Sequence, residues 1–198
     1  EAYLQTIQGM TFGDDPNQGV VRGRTFIHPK LMFRFEAPDG FRLVNQPNAV
    51  LAIGPGGAMA KFDMAGGRPS GTAADFIPRP YGRTSAGDAD IRLIAIKQSD
   101  ERIFQFTFAT PTSQTARLSE PLRRMTYSLR TISAQEAAAV KPWRIQIQRV
   151  GTGDTVASLA ARMAMSDNKE EWFRTLNGLH PSDQLQAGQT VKLVTEAR

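Results

Sequence analysis

The stretch IRLIAIKQSDERIFQFTFA, residues 91–109, decides the fold class of this chain. Two runs rich in β-branched and aromatic residues flank the polar residues 98–101, which predicts an antiparallel hairpin. Because successive side chains of a strand point to opposite faces, Phe104, Phe106 and Phe108 share one face. We expect that face to lie in the core, since phenylalanine is among the most frequently buried residues.

Residues upstream of this hairpin continue the β pattern. Residues 31–35 alternate between apolar and polar positions, as a half-buried strand does. Residues 49–53 and 58–64 flank the turn sequence Gly-Pro-Gly-Gly and predict a second hairpin. The sequence therefore favours a set of antiparallel strands joined by short turns.

Two helices are predicted within the same region. The first is a short one over residues 72–77, followed by an exposed loop over 78–90. The second begins after Ser119, which is typical of an N-cap, and carries Pro121 in its first turn. Residues 19–133 are therefore predicted to form an α+β domain, in which helices flank an antiparallel, β-rich arrangement.

The segment 143–198 has a different order, namely strand, helix, helix, strand. An alternating run near residue 145 predicts the first strand, and Asp154 or Thr155 can cap the first helix. Residues 169–177 predict the second helix, which Gly178 ends in a left-handed conformation. A strand over 191–194 completes a small βααβ domain whose strands are expected to pair over the helices.

Two further segments are predicted to lie outside these domains. Residues 1–18 are interpreted as a tail, because turn-forming Gly, Asp, Pro and Asn residues follow its short helical start. Residues 134–142 are interpreted as a linker, rich in Ala, Gln and Glu and closed by Pro142. The tail is expected to join an upstream segment of a longer protein.

Composition excludes several classes of site. The chain has 198 residues, a formal net charge of +5, no Cys and two His, His28 and His180. Disulfides, cysteine-ligated zinc, iron–sulfur clusters and thiol catalysis are excluded by the missing cysteines. The basic residues form no run of five and do not interleave with aromatics, so specific nucleic-acid binding is not expected. No apolar stretch approaches the roughly 20 residues that span a bilayer.

Sequence signatures of catalysis are also missing. The chain contains no H-E-x-x-H, no G-x-S-x-G and no G-x-x-x-x-G-K-[ST]. The acidic pairs Asp14–Asp15 and Asp88–Asp90 lie in polar, turn-rich sequence, so solvated positions are favoured over an acid–base pair. We therefore expect no catalytic residue, no metal ligand and no cofactor in this chain.

The segment 143–198 resembles a LysM module. The matching residues occur in order over about fifty positions: Gly153-Asp154-Thr155, Leu159-Ala160, Leu176-Asn177, Leu185-Gln186-Ala187-Gly188-Gln189 and Val191-Lys192-Leu193. In such modules two facing loops bind glycan, and backbone groups there can hydrogen-bond N-acetyl groups. The resemblance implies a glycan site formed by Gly153, Asp154, Thr155, Val156, Leu179, His180, Pro181 and Ser182. The alternative is that Gly153-Asp154-Thr155 serves only as a turn and helix cap.

The upstream domain carries a second resemblance. It rests on these stretches: Gly19-Val20-Val21-Arg22-Gly23, Phe26-Ile27-His28-Pro29 and Phe33-Arg34-Phe35-Glu36-Ala37-Pro38-Asp39-Gly40-Phe41. They are similar to the region after the catalytic domain of bacterial HtpX-like and Ste-type zinc metallopeptidases, a group that includes the CAAX prenyl endopeptidases. A β-rich domain and a LysM-like end can follow the peptidase in such proteins. The β-rich part also resembles the PsbP-type α+β fold, a strand meander with flanking helices.

These resemblances imply a role in placement. The chain is expected to be the non-catalytic C-terminal part of an envelope zinc metallopeptidase, with the zinc held in the upstream peptidase domain. Its expected partners are that domain and peptidoglycan or an envelope protein, in the periplasm or cell envelope, without a membrane span. Two alternatives stay open: a protein-interaction module without glycan affinity, and an unrecognised hydrolase on the α+β domain.

Overall fold

The computed structural model describes residues 2–64, 88–99 and 102–197. These residues form a β-rich domain with two antiparallel sheets and a smaller C-terminal unit with a third. The strands of the β-rich domain are β1 (Val20–Arg22), β2 (Thr25–His28), β3 (Phe33–Glu36), β4 (Arg42–Gln46), β5 (Ala49–Ile53), β6 (Met59–Met64), β7 (Ala89–Ser99), β8 (Arg102–Pro111) and β9 (Arg130–Thr131). The predicted α+β class, with antiparallel sheets and a few helices, is confirmed.

The two sheets of the β-rich domain have simple strand orders. One is β1-β2-β3-β9, and the other is β4-β5-β6-β8-β7. The predicted hairpins are confirmed, since β7 pairs with β8 and β5 pairs with β6, both antiparallel. Residues 88–90 were predicted as the end of a loop, but β7 already begins at Ala89. The predicted helix over 72–77 and residues 100–101 of the predicted connection lie outside the described residues.

The core of this domain is a cluster of phenylalanine rings between the two sheets. Phe33 of β3 lies 4.6 Å from Phe104 of β8, and Phe35 lies 4.7 Å from Phe62 of β6, measured between ring centroids. Phe106 is fully buried. The predicted aromatic core face is confirmed, since Phe104, Phe106 and Phe108 all belong to this cluster. Each buried ring contributes about 1.5–3 kcal/mol through removal of apolar surface from water.

The long helix α2 (Thr112–Tyr127) covers this core. The prediction that it begins after Ser119 is wrong, because it begins at Thr112 and carries Pro121 in its interior. Leu118 and Leu122 are both buried against the sheet. Because this apolar face packs against the sheet, the helix continues past Pro121 without a break.

The residues after α2 lead to the C-terminal unit through a short capped helix. Helix α3 (Ala134–Ala138) begins after Ser133, whose hydroxyl accepts from the Glu136 N–H while the Glu136 carboxylate accepts from the Ser133 N–H. Glu136 also pairs with Arg130, at 2.6 Å between Oε1 and Nη2. The segment 134–142, predicted as a linker, is thus anchored at its start to β9.

The C-terminal unit consists of β10 (Trp143–Arg149), α4 (Val156–Ala161), α5 (Lys169–Asn177) and β11 (Thr190–Glu196). The strands pair antiparallel along their whole length, from Trp143 opposite Glu196 to Arg149 opposite Thr190. A second core, which includes Leu159, Phe173 and Leu193, joins the helices to the strands. The predicted order of strand, helix, helix and strand is confirmed, including the left-handed Gly178 that ends α5 (φ 64°).

The N-terminal residues pack on this C-terminal unit. After helix α1 (Ala2–Ile7), the Gly9 N–H donates to the Ile145 carbonyl (2.8 Å) and the Phe12 N–H donates to the Trp143 carbonyl (2.8 Å). Residues 9–12 thus run along the edge of β10 that β11 leaves open. Residues 1–18 were interpreted from the sequence as a tail, and their pairing with β10 was not predicted.

Candidate functional site

Two loops of the C-terminal unit leave the same end of the β10–β11 pair. One runs from β10 to α4, and the other runs from α5 to β11. They are tied together where they meet the strands, because the Val150 N–H donates to the Gln189 carbonyl and the Gly188 N–H donates to the Val150 carbonyl, both at 2.8 Å. The eight residues that the LysM resemblance implies for a glycan site are distributed over these two loops.

The first loop, residues 150–155, is shaped by its own side chains. The Gly151 N–H donates to Asp154 Oδ2 (2.8 Å), which closes a tight turn through Gly153, whose φ of 85° suits glycine. Thr155 caps α4, since its hydroxyl accepts from the Ser158 N–H (3.1 Å) while the Ser158 hydroxyl accepts from the Thr155 N–H (2.9 Å). Of the two caps that the sequence allowed, the structure has Thr155, and Asp154 holds the turn instead.

The second loop, like the first, is held by a hydrogen bond from a backbone N–H to an aspartate carboxylate. The His180 N–H donates to Asp183 Oδ2 (2.8 Å), and Arg174 Nη1 donates to the His180 carbonyl (2.7 Å). His180, Pro181 and Ser182 are exposed to solvent. The loop therefore has a fixed backbone and presents three side chains outward.

The eight implied residues divide into two groups. Val156 is only 7 % exposed and belongs to the core, and Leu179 packs against the same core. Gly153, Thr155 and the three residues 180–182 are exposed, and Asp154 is half-buried with one oxygen engaged by Gly151. The first loop therefore offers a ligand mainly backbone groups, and the second offers the exposed side chains of residues 180–182.

Three of the four acidic residues of these pairs, Asp14, Asp15 and Asp90, accept hydrogen bonds from backbone or hydroxyl groups, whereas Asp88 is exposed. Asp14 Oδ2 accepts from the Val21 N–H (2.8 Å), and Asp15 Oδ1 accepts from the Asn17 N–H (2.9 Å). Asp90 Oδ2 accepts from the Thr115 hydroxyl (2.6 Å). Asp90 therefore lies on a strand and bonds to α2 rather than in a solvated loop, which corrects the expectation for that residue.

The two histidines differ in environment. His180 is exposed in the loop described above, whereas His28 is half-buried at the end of β2, where its Nδ1 accepts from the Leu31 N–H (3.3 Å). Within residues 2–64, 88–99 and 102–197, no group of three or more His, Asp or Glu side chains is arranged to hold a metal ion. The zinc assigned to an upstream domain stays a prediction.

Sequence reasoning missed a cleft beside His28, at the edge of the aromatic core. Its walls come from β2, β3, β4, β5 and β6. Residues so far apart in the chain give no local pattern. The one available signal was a histidine directly after the apolar residues of β2.

In the part of the chain that the structure describes, no helix is long and apolar enough to cross a bilayer. Searches against protein-family models, curated proteins and solved structures found no match to this sequence.

Proposed function

We propose that this chain is the non-catalytic C-terminal part of an envelope zinc metallopeptidase and that it positions the peptidase by binding peptidoglycan or a partner protein. In this proposal the C-terminal unit is a LysM-like module, and the β-rich domain is a PsbP-like spacer between module and peptidase. The zinc belongs to the peptidase domain, and the protein acts in the periplasm or cell envelope.

The observation that carries the proposal is the shared position of the two loops. Both leave one end of the β10–β11 pair, as the glycan-binding loops of a LysM-like module would. The β–α–α–β order and the packing of both helices on one two-stranded sheet support the same interpretation.

The chemistry of the loops suits an N-acetylated sugar. Asp154 and Asp183 each accept a backbone N–H within their own loop, so the loops keep their shape without a ligand. A pre-formed site loses less conformational entropy when it binds. The backbone groups of Gly151 and His180 are engaged within their own loops, so those of Thr152, Gly153 and Ser182 would meet an acetamido group, which has one donor and one acceptor.

The alternative is a protein-interaction module whose loops pack against the β-rich domain or against the peptidase, and burial speaks against the first of these two arrangements. If the loops packed against the β-rich domain, they would be covered, but Gly153, His180 and Ser182 are exposed. Binding of a partner protein at the same loops, in place of glycan, is the alternative that the experiment below distinguishes.

A titration with soluble chitin oligomers and with muropeptides tests the proposal. We expect saturable shifts of the amide resonances of residues 151–155 and 179–182 at millimolar ligand. Ser182→Trp should abolish them, because the indole covers the exposed loop. Ser113→Trp, at an exposed position of α2, is the matched control and should bind as the parent does. Absence of shifts at millimolar glycan would remove the glycan part of the proposal.

A further inference from the structure

The cleft beside His28 has the size and lining of a small-molecule site. Its volume is about 360 Å³, and such sites typically occupy about 300–1,000 Å³. Phe26, Phe33 and Phe62, which belong to both sheets and are each 2–3 % exposed, form the inner side of its wall. The cleft therefore lies directly over the aromatic core, and residues 47–48 of the turn between β4 and β5 form part of its rim.

One polar group on the wall is set up to donate a hydrogen bond. His28 Nδ1 accepts from the Leu31 N–H (3.3 Å), so a neutral imidazole carries its proton on Nε2. Nε2 has no hydrogen-bond partner among the residues that the structure describes. The ring is oriented by its contacts with Phe26 and Phe33, whose centroids lie 6.2 and 5.6 Å from that of His28.

The charge around His28 is positive. Arg102 Nη1 donates to the Leu31 carbonyl (3.1 Å), on the wall of the cleft. Burial lowers the pKa of His28, the charges of Arg102 and Lys30 lower it further, and a hydrogen bond to its own backbone opposes these effects. The two cations thus place positive charge near the imidazole, which would favour an anion at Nε2.

The cleft is also lined by an acidic residue, whose charge is offset by a neighbouring lysine. The carboxylate of Asp63 is paired with Lys61 Nζ at 2.5 Å, and the side chain is 19 % exposed. Asn45, also on the wall, directs its amide nitrogen to the Gly19 carbonyl (2.9 Å) and so fixes the β4 end of the cleft to β1.

We propose that this cleft binds a small carboxylic acid with an apolar body. The carboxylate accepts a hydrogen bond from His28 Nε2 in the field of Arg102 and Lys30, and the apolar body packs on the phenylalanine wall. The site lies in the β-rich domain and is independent of the glycan site proposed for the C-terminal unit.

Two probes of the same shape test the charge requirement. 2-Naphthoate carries the carboxylate, and 2-naphthalenemethanol replaces it with a neutral alcohol. We expect saturable binding of 2-naphthoate by calorimetry, with amide shifts confined to residues 26–33 and 45–50. The neutral alcohol should bind about tenfold more weakly, because a hydrogen bond to a charged group is worth more than a neutral one.

Variants of His28 separate its two nitrogens. His28→Asn keeps an acceptor near Nδ1 for the Leu31 N–H but loses the Nε2 donor, and it should weaken 2-naphthoate binding about tenfold. His28→Gln retains a donor near Nε2 and should bind within about threefold of the parent. Thermal unfolding of each variant verifies that the domain is folded.

A cavity-filling variant tests the location independently of His28. Ala49 lies on the wall of the cleft, and Ala49→Phe should abolish binding of both probes. The proposal is overturned by any of three results: no saturable binding at millimolar naphthoate, equal affinity for acid and alcohol, or full affinity in the folded His28→Asn or Ala49→Phe protein.

Discussion

At the scale of single residues, polar side chains in this protein mainly hold the backbone. Asp14, Asp154 and Asp183 each accept a backbone N–H, and Ser128 accepts from the Glu36 N–H across to β3 at 2.8 Å. A buried or half-buried N–H without an acceptor costs about 1–3 kcal/mol. Carboxylates that could be taken for catalytic candidates from the sequence alone therefore have structural roles, which explain their presence.

Glu136 yields a prediction about pH. Its hydrogen bond with Arg130 and, next, with the Ser133 N–H lowers the pKa of the Glu136 carboxyl from 4.5 to about 2. A lowered folded-state pKa stabilises the fold above the unfolded value, and that contribution is lost as pH falls from about 4.5 through about 2. Glu136→Gln should therefore reduce the free energy of unfolding at pH 6 and make little difference near pH 2, as urea denaturation at a series of pH values would measure.

Arg130→Ala provides the check on this explanation, because the guanidinium is the largest cause of the shift. It should remove most of the pH dependence that Glu136→Gln removes, and the two changes together should not add. A difference between parent and Glu136→Gln that stays constant from pH 2 to pH 6 would contradict the argument. Both side chains are exposed, so high salt should shrink the effect.

At the scale of elements, local patterns predicted those parts whose hydrogen bonds are local. The hairpins β5–β6 and β7–β8, the cap at Thr155 and the end of α5 at Gly178 all follow from residues within a few positions of one another. The edge pairing of residues 9–12 with β10 could not be predicted, because its partners lie more than 130 positions apart and neither segment has a distinctive pattern. The same holds for the candidate sites: turn and cap residues predicted the two loops, whereas the cleft beside His28 depends on five strands.

In helix α2, core packing outweighs a local sequence signal for a helix start. A serine followed two residues later by proline is typical of a helix start, yet the helix begins at Thr112. Its apolar residues Leu118, Leu122 and Met125 are all buried in the core of the β-rich domain. Their burial outweighs the hydrogen bond that Pro121 cannot donate.

Replacement of this proline should stabilise the protein. Pro121→Ala restores an N–H that can donate to the Arg117 carbonyl one turn earlier and should raise the free energy of unfolding by about 1–3 kcal/mol. Chemical denaturation measures the change. Ser119→Ala is the matched control, because loss of a true N-cap would cost about 1 kcal/mol. We expect it to be neutral, and a clear loss of stability would mean that the helix effectively starts at Ser119.

At the scale of the whole molecule, the β-rich domain is joined to the C-terminal unit at two places in the chain. Residues 9–12 pair with β10 before the chain enters β1, and residues 134–142 return it to β10 after β9. Phe12 adds a side-chain contact, with its ring 6.1 Å from that of Trp172 on α5. A covalent linker together with a hydrogen-bonded segment limits the relative motion of the two units more than the linker alone would. A glycan held at the loops of the C-terminal unit would therefore also restrain the β-rich domain.

Arg22 is the side chain that links the two units most directly, and its replacement should loosen them. Its Cζ lies 4.0 Å from the centroid of the Trp143 ring, and Nη2 donates to the Lys141 carbonyl at 2.9 Å. Arg22 is half-buried, and burial lowers the pKa of its guanidinium. A cation–π pair in such a setting is worth about 0.5–2 kcal/mol. Arg22→Ala should leave both cores folded but make the rotational correlation times of the two units, from nitrogen-15 relaxation, diverge. Arg162→Ala, at an exposed position just after α4, should leave them equal, and equal times in Arg22→Ala would show that the paired residues 9–12 alone hold the units together.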